Sequence, residues 1–513
     1  MRVDAFWQSA QKRPRRTALV DVDGSLISAG ELLASGNQLA RAFQDLGIEP
    51  GQTVAFMLPN GRATVELLVA TMQIGLFLAP LNNALSEGEI AHILADSAAA
   101  VFISHEKYGA RAAPAAQQAN TAHRFSVGGI NGFASFDALK AGQGAELPAT
   151  RRPGALMVYT SGTTGRPKGI ERELLPGDAD KTAGYMARQL SMFDVMPGGD
   201  GVHLCTSPLY HTAPLAYSWY SLCFEHTLVL MNKWDAERAL ELIEAHRVTH
   251  THMVPTQFHR LLCLPETVRA RYDVSSLRNV LHAAAPCPVD TKRKMLEWWG
   301  PVIYEYYGAS EGGGTLVSPE EWLEYPGTVG RPWKGAEIQI HDADGALLPP
   351  GEPGTVYMKL LGAFTYRGDE KKTRDNRRGG FFTVGDIGYL NEQGYLFLCD
   401  RKIDMIISGG VNIYPAEVEG ALLEHPDIAD AAVFGIPDDD WGESVMAVVE
   451  WVTGRPTPAN AELSLKEHCA SRIAKFKVPR AIDFADSLPR DPNGKLMKRK
   501  LRAPYWKGKS ASI

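Results

Sequence analysis

The stretch TSGTTGRPKG, residues 160–169, gathers the residue types that hold a polyphosphate. Gly162, Gly165 and Gly169 let the backbone turn tightly and come close to a ligand. Ser161, Thr163 and Thr164 offer hydroxyl donors, and Lys168 adds a positive charge. Successive backbone N–H groups in such a loop form a nest that solvates phosphoryl oxygens. The spacing is not that of a P-loop, because Lys168 is followed by Gly169 and not by Ser or Thr. Taken by itself, the stretch fits either a phosphate cradle or a flexible surface loop. Elsewhere, His250 and His252 would share one face of a strand, with His246 just upstream. No third ligand follows at a workable spacing, so these histidines read as structural and not as a metal centre.

Such a loop needs a scaffold. At 513 residues the chain is too long for one hydrophobic core, so two or more domains are expected. Hydrophobic residues at 45% and charged residues at 22% are ordinary for a globular protein. A net charge of -6 gives no basic surplus and points away from nucleic acid. The six cysteines are far apart and match neither a zinc spacing nor a disulfide framework, which implies buried thiols in a reducing, cytoplasmic setting. The N-terminal residues carry charges where a signal peptide needs an apolar run. The most apolar segment, residues 67–81, is interrupted by Thr71, Gln73, Gly75 and Pro80; it reads as a buried helix running into a buried strand, and no integral membrane segment is expected.

Short apolar runs followed by loops and amphipathic stretches recur at TVAFMLPNG, LFLAPLN, GVHLCTSPLYH, THTHMVPTQF, LRNVLHAAAP and VIYEYYGASE. This beat predicts an α/β fold with layered, largely parallel sheets. From about residue 327 the texture becomes rich in Gly and Pro with alternating apolar positions, predicting a small antiparallel β unit. After residue 400 the order helix, strand, strand, helix predicts a smaller α+β C-terminal domain. The expected division is 1–399, a junction at 400–403, and 404–513.

Five segments in order, YTSGTTGRPKG, YYGASEGG, FTVGDIGYL, DRKIDMIISGGVNIYPAEVE and PRDPNGKLMKRKL, resemble the motifs of the adenylate-forming superfamily of acyl-CoA synthetases, nonribosomal adenylation domains and luciferases. The resemblance implies that Ser161, Gly162, Thr163, Thr164, Gly165 and Lys168 bind the phosphates of ATP. It further implies that the loop of Ala284, Ala285 and Pro286 and the ring of Tyr307 pack on the adenine, that Gly308, Ala309 and Ser310 also bind the cofactor, and that Asp386 and Arg401 hold the ribose hydroxyls. Thr164 and Glu311 are the implied Mg2+ ligands, and Lys495 is the implied catalytic lysine. Composition alone would read Lys495 as part of a solvated basic tail. His211, beside apolar residues, is by type a core histidine; the resemblance puts it near the acyl pocket and thiol channel. Gly409 and Gly410 are implied to pass the pantetheine arm of CoA, and Trp441 to stack on its adenine. His282 stands where the family has a smaller residue, Ser310 where it has Thr, and Ile403 where relatives often carry a charge.

The activity so implied is ATP-dependent activation of a carboxylic acid to an acyl-adenylate, then transfer to CoA by a C-terminal domain that rotates about 400–403. An apolar acid is expected from the aromatics and few fixed charges of PLYHTAPLAYSWY and THMVPTQFHRLL, with Gly312, Gly313 and Gly314 leaving space. The chain stops soon after the lysine motif, so a carrier-protein domain is not expected. A free-standing adenylation enzyme that serves a carrier protein is the alternative, as is a non-catalytic nucleotide-binding relative.

Overall fold

A computed structural model of the chain describes residues 3–160, 167–359, 362, 364–401, 403–452, 457–490 and 496–507. These form two compact units, one from 1–253, 268–281 and 362–375, the other from 254–267, 282–361 and 376–513.

The first unit holds a parallel six-stranded sheet in the order Ala134–Ser135, His123–Val127, Ala99–His105, Thr53–Met57, Phe77–Pro80, Ala155–Leu156. Thr53–Met57 and Phe77–Pro80 are buried along their whole length, as strands covered on both faces must be. Ala55, Met57, Phe77, Ile90 and Phe102 share one core cluster here. The helix Arg62–Thr71 precedes Phe77–Pro80, so the apolar segment is the buried helix and strand its pattern predicts. A further sheet runs His250–Met253, Val202–Cys205, Thr227–Leu230, Thr17–Val20, parallel until Leu26–Ser28 joins antiparallel. Capping boxes at Ser28 with Glu31 and Ser86 with Glu89 start two of the helices by satisfying their first N–H groups.

The second unit is mostly antiparallel. Ile303–Ala309 pairs with Gly312–Val317, and that strand with Arg331–Pro332. The small β unit expected after residue 327 is a six-stranded sheet in which Gly354–Lys359 pairs with Ile338–His341, Phe381–Phe382 and Asp386–Leu390. The α+β pattern expected after residue 400 is present as well. Helices Pro415–Leu423 and Ala461–Ala470 contribute Val418, Leu422, Leu465 and Cys469 to a core shared with Val433 and Ala447 of strands Ile428–Asp438 and Gly442–Trp451. Among the described residues no helix is long and apolar enough to cross a membrane.

The run ALMVY does not form a single strand leading into an α/β loop. Ala155–Leu156 joins the parallel sheet, while Val158–Thr160 turns into an antiparallel hairpin with Lys168–Glu171, and Thr365–Tyr366 adds the third strand. Buried Met157 stands between the two pieces and packs into the core of the parallel sheet.

Candidate active site

In the sequence the hydroxyl-rich stretch falls between the two strands of that hairpin. Thr160 pairs with Lys168 and Tyr159 with Gly169, so the two strands hold both ends of the loop in fixed register. Ser161, Gly162, Thr163, Thr164 and Gly165 themselves lie outside the described residues. The base of the hairpin is pinned. A Cβ on Gly169 would stand 3.0 Å from the Tyr159 ring, so only glycine lets that ring lie across the strand pair. The Tyr159 hydroxyl donates to Asp96 Oδ2 at 2.6 Å, and burial, then Asp96, pushes the phenol far up. Lys168 is paired with Asp369, whose carboxyl is held below its ordinary range first by that hydrogen bond. Sequence reasoning missed both Asp96 and Asp369, because neither lies in a segment that stands out by composition.

His211 occupies the N-cap position of helix Thr212–Cys223 without capping it. Its ring centroid is 4.5 Å from that of Tyr210, and its Nε2 is buried without a hydrogen-bond partner among the described residues. Burial pushes the imidazole down to about 4, so it is neutral near pH 7 with an uncommitted nitrogen. The same helix gives Trp219 to the core, 5.0 Å from Trp7 and 6.4 Å from Phe6 between ring centroids. That tryptophan is therefore unavailable to a substrate.

In the second unit three of the sequence-predicted residues meet. Asp386 and Arg401 are direct partners across the antiparallel strands Asp386–Leu390 and Leu396–Arg401. Arg401 Nε lies 3.4 Å from Asp386 Oδ1, while Tyr307 donates its hydroxyl to Asp386 Oδ2 at 2.7 Å. Burial first, then the Asp386 charge, raises the Tyr307 phenol well above its ordinary value, so it stays a neutral donor. A buried carboxylate flanked by a forked guanidinium and a flat ring suits a nucleoside, since it accepts from hydroxyls while the ring stacks.

Tyr307, Gly308 and Ala309 close the strand Ile303–Ala309; Ser310 and Glu311 form the hairpin tip, with Ala309 paired to Gly312. Glu311 is buried at this tip. Gly313 and Gly314 do not leave space for a large acid. A Cβ on Gly314 would stand 2.2 Å from the Tyr307 carbonyl and 2.3 Å from Trp333, and one on Gly313 would stand 2.9 Å from Met358. The Tyr307 carbonyl and the Trp333 and Met358 side chains fill that volume. Ala284 is exposed with φ +75, a left-handed conformation strained for a residue with a Cβ; Ala285 and Pro286 continue the loop after buried His282.

Gly409 and Gly410 form the two-residue turn between Ile406–Ser408 and Val411–Ile413, at φ +59 and +79, as a hairpin turn with two left-handed residues requires. A Cβ on Gly409 would lie 2.4 Å from the Trp441 ring, so this glycine seats the indole. Trp441 is half exposed, backed by the Arg480 guanidinium at 5.0 Å. Asp438 holds the turn by accepting from the N–H groups of Asp440 and Trp441 and pairing with Arg480 at 3.0 Å. The acidic run 438–440 is thus partly structural.

Near the junction, Asp400 Oδ2 accepts from the N–H of Ala416 at 2.9 Å, and Ile403 is exposed. Lys498, from the basic tail, is half-buried and paired with Glu419 at 2.8 Å. Lys495 lies outside the described residues. The described cysteines carry no disulfide, and Cys263 is exposed, unlike the buried thiol its spacing suggested.

Fold and site define a mixed α/β enzyme built to hold a nucleotide. The chain belongs to the family of AMP-binding enzymes, whose sequence model matches residues 6–368 and whose C-terminal-domain model matches 417–495. It is 31% identical over 509 residues to a long-chain-fatty-acid–CoA ligase, FadD13, of Mycobacterium tuberculosis, covering 97% of both chains. It is 33% identical over 500 residues to a feruloyl-CoA synthase of an Amycolatopsis species, again covering 97% of each. Among solved structures, an anthranilate CoA ligase, AuaEII, in complex with anthranoyl-AMP superposes with a TM-score of 0.86 at 25% identity, over 98% of this chain and 97% of that one. The large N-terminal and smaller C-terminal domain expected from the sequence is the arrangement of this family.

Proposed function

We propose that the protein is an AMP-forming acid–thiol ligase that activates an apolar carboxylic acid with ATP and passes the acyl group to CoA. The observation that carries this reading is the Tyr307–Asp386–Arg401 constellation in a chain of this family. FadD13 takes long-chain fatty acids and the feruloyl-CoA synthase an aryl acid, which supports an apolar acid here.

A carboxylate is anionic and has no leaving group, so it resists attack by a thiol. Its oxygen attacks the α-phosphorus of ATP, the bond to the β-phosphate bridging oxygen breaks, and pyrophosphate leaves. The thiol sulfur of CoA then attacks the acyl carbon of the mixed anhydride, AMP departs with the bonding pair, and the thiol proton is lost. Loop 161–165 and Lys168 hold phosphates, Tyr307 and the 284–286 loop hold the adenine, and Asp386 with Arg401 holds the ribose. The first step brings two anions together, and Lys495 offsets the charge that builds up. Glu311 gives one hard carboxylate ligand and Thr164 a hydroxyl, a donor set suited to Mg2+, which takes few protein ligands beside phosphates. When bound, that cation neutralises phosphate charge. Neutral His211, with its buried Nε2, lies near the acyl pocket and thiol channel. Gly409, Gly410 and Trp441 serve CoA.

The two family matches leave 369–416 between them, which supports a domain junction at 400–403 and a C-terminal domain at 404–513. Six free thiols support a reducing, cytoplasmic compartment. The deciding experiment is ATP–pyrophosphate exchange over a panel of fatty, aryl and alicyclic acids, followed by CoA-dependent AMP release. Acid-dependent exchange is the expected result; ATP binding without exchange for any acid would favour a non-catalytic nucleotide binder.

A further inference from the structure

The strand that delivers Tyr307 is anchored by charge in a place where charge is costly. Glu305, two residues before Tyr307 and therefore on the same face of the strand, is buried. Lys292, from helix Val289–Trp299, is fully buried, with Nζ 2.8 Å from Glu305 Oε2. His282 Nε2 lies 3.4 Å from the same oxygen, its ring edge-on to Phe258 at 5.2 Å. The Lys292 ammonium also sits over the Trp322 ring at 4.7 Å. Burial alone would raise the Glu305 carboxyl, but the Lys292 charge outweighs it and holds it well below its ordinary range. His282 stays neutral because burial pushes its imidazole down.

An ion pair this deep contributes little stability over a well-packed apolar pair, whereas removing one partner is strongly destabilising. What it supplies is fixed geometry. His282 and Lys292 bracket the segment that contains Ala284, Ala285 and Pro286, and Ala284 keeps its strained left-handed conformation only where its surroundings over-determine it. Lys292, past the far end of that segment, is thereby bonded to a carboxylate on the strand of Tyr307, and His282 at the near end packs within 3.4 Å of the same oxygen.

We propose that Lys292, Glu305 and His282 are positioning residues for the nucleotide, clamping the 284–286 loop at a set distance from the Tyr307 ring so that an adenine fits between them. This inference rests on the nucleotide reading above. None of the three touches ATP; they act through the loop and the ring.

The test titrates ATP and GTP, with Mg2+, into the full chain by calorimetry. Lys292→Met combined with Glu305→Leu replaces the ion pair by apolar groups of similar size. The expected result is a melting temperature within a few degrees of the parent, with roughly tenfold weaker ATP binding and a smaller preference for ATP over GTP. His282→Gln, which leaves the ion pair in place, is expected to weaken ATP binding about threefold, and it decides the matter should the double variant not fold. Lys292→Arg is expected to retain most of the affinity. Folded variants that bind ATP as the parent does would overturn the proposal. Tyr307→Ala and Asp386→Asn serve as controls. If they too leave ATP affinity unchanged, the nucleotide reading itself is wrong; if only they weaken it, the reading stands and the clamp falls.

Discussion

Tyr307 and Arg401 fix the orientation of the Asp386 side chain, which we propose accepts from the ribose hydroxyls. Asp386→Asn keeps the size and removes the charge, and losing a charge-assisted hydrogen bond to each ribose hydroxyl is expected to raise the KM for ATP roughly tenfold. Pyrophosphate exchange at varied ATP measures it; an unchanged KM would remove Asp386 from the nucleotide site. Ala284 poses the opposite case, a residue whose type disagrees with its backbone. At φ +75 its Cβ is strained, and Ala284→Gly relieves that strain while adding chain entropy to the unfolded state. The net expectation is a gain of about 0.5 kcal/mol, read as a higher denaturant midpoint at unchanged slope. A lower midpoint would mean the left-handed conformation is not strained.

Among the elements, the hairpin Ile406–Ser408 with Val411–Ile413 shows how one glycine pair answers two demands. Both turn residues need positive φ, and Gly409 must also leave room for Trp441. Gly409→Leu violates both. The expected outcome is a roughly tenfold or larger fall in CoA-dependent acyl transfer as the indole is displaced, with pyrophosphate exchange within about twofold of the parent. Equal losses in both half-reactions would point to general unfolding of this sheet and against a CoA-specific face.

For the whole molecule, acid stability is set by a buried cluster of imidazoles in the first unit. His203 and His250 are cross-strand partners with ring centroids 4.9 Å apart, and His226 is 4.9 Å from His250. Burial lowers all three, His203 to about 3, His226 to about 4 and His250 well below 6.5. Their folded-state values are depressed, so the unfolded chain binds the protons first. Stability is complete above pH 6.5 and declines as pH falls from there towards 4 and 3. Between pH 7 and pH 5 each buried imidazole costs on the order of 2 kcal/mol. Chemical denaturation at the two pH values checks this, and a flat profile would mean these rings take up protons without unfolding. We propose that catalysis draws on a distant segment, the one that carries Lys495. Lys495→Ala is expected to abolish adenylate formation while sparing CoA attack on a supplied acyl-adenylate; equal loss of both would contradict separate arrangements for the two steps.

The alternation of apolar runs and loops, the turn-forming glycines and the ordered motifs are local properties, and local properties determine elements. Thus the strands Thr53–Met57 and Val202–Cys205 and the helix Pro415–Leu423 are legible from residue order alone, whereas Tyr307, Asp386 and Arg401 were singled out by the resemblance of their motifs. Tertiary structure decided what depends on residues far apart in the chain. It pairs Lys168 with Asp369, sets Trp441 over Gly409, fills the space beside Gly313 and Gly314 with Met358 and Trp333, and buries Lys292 against Glu305. Periodicity cannot foresee such contacts, because a lysine on a helix looks the same in sequence whether its partner is water or a carboxylate brought up by a neighbouring strand.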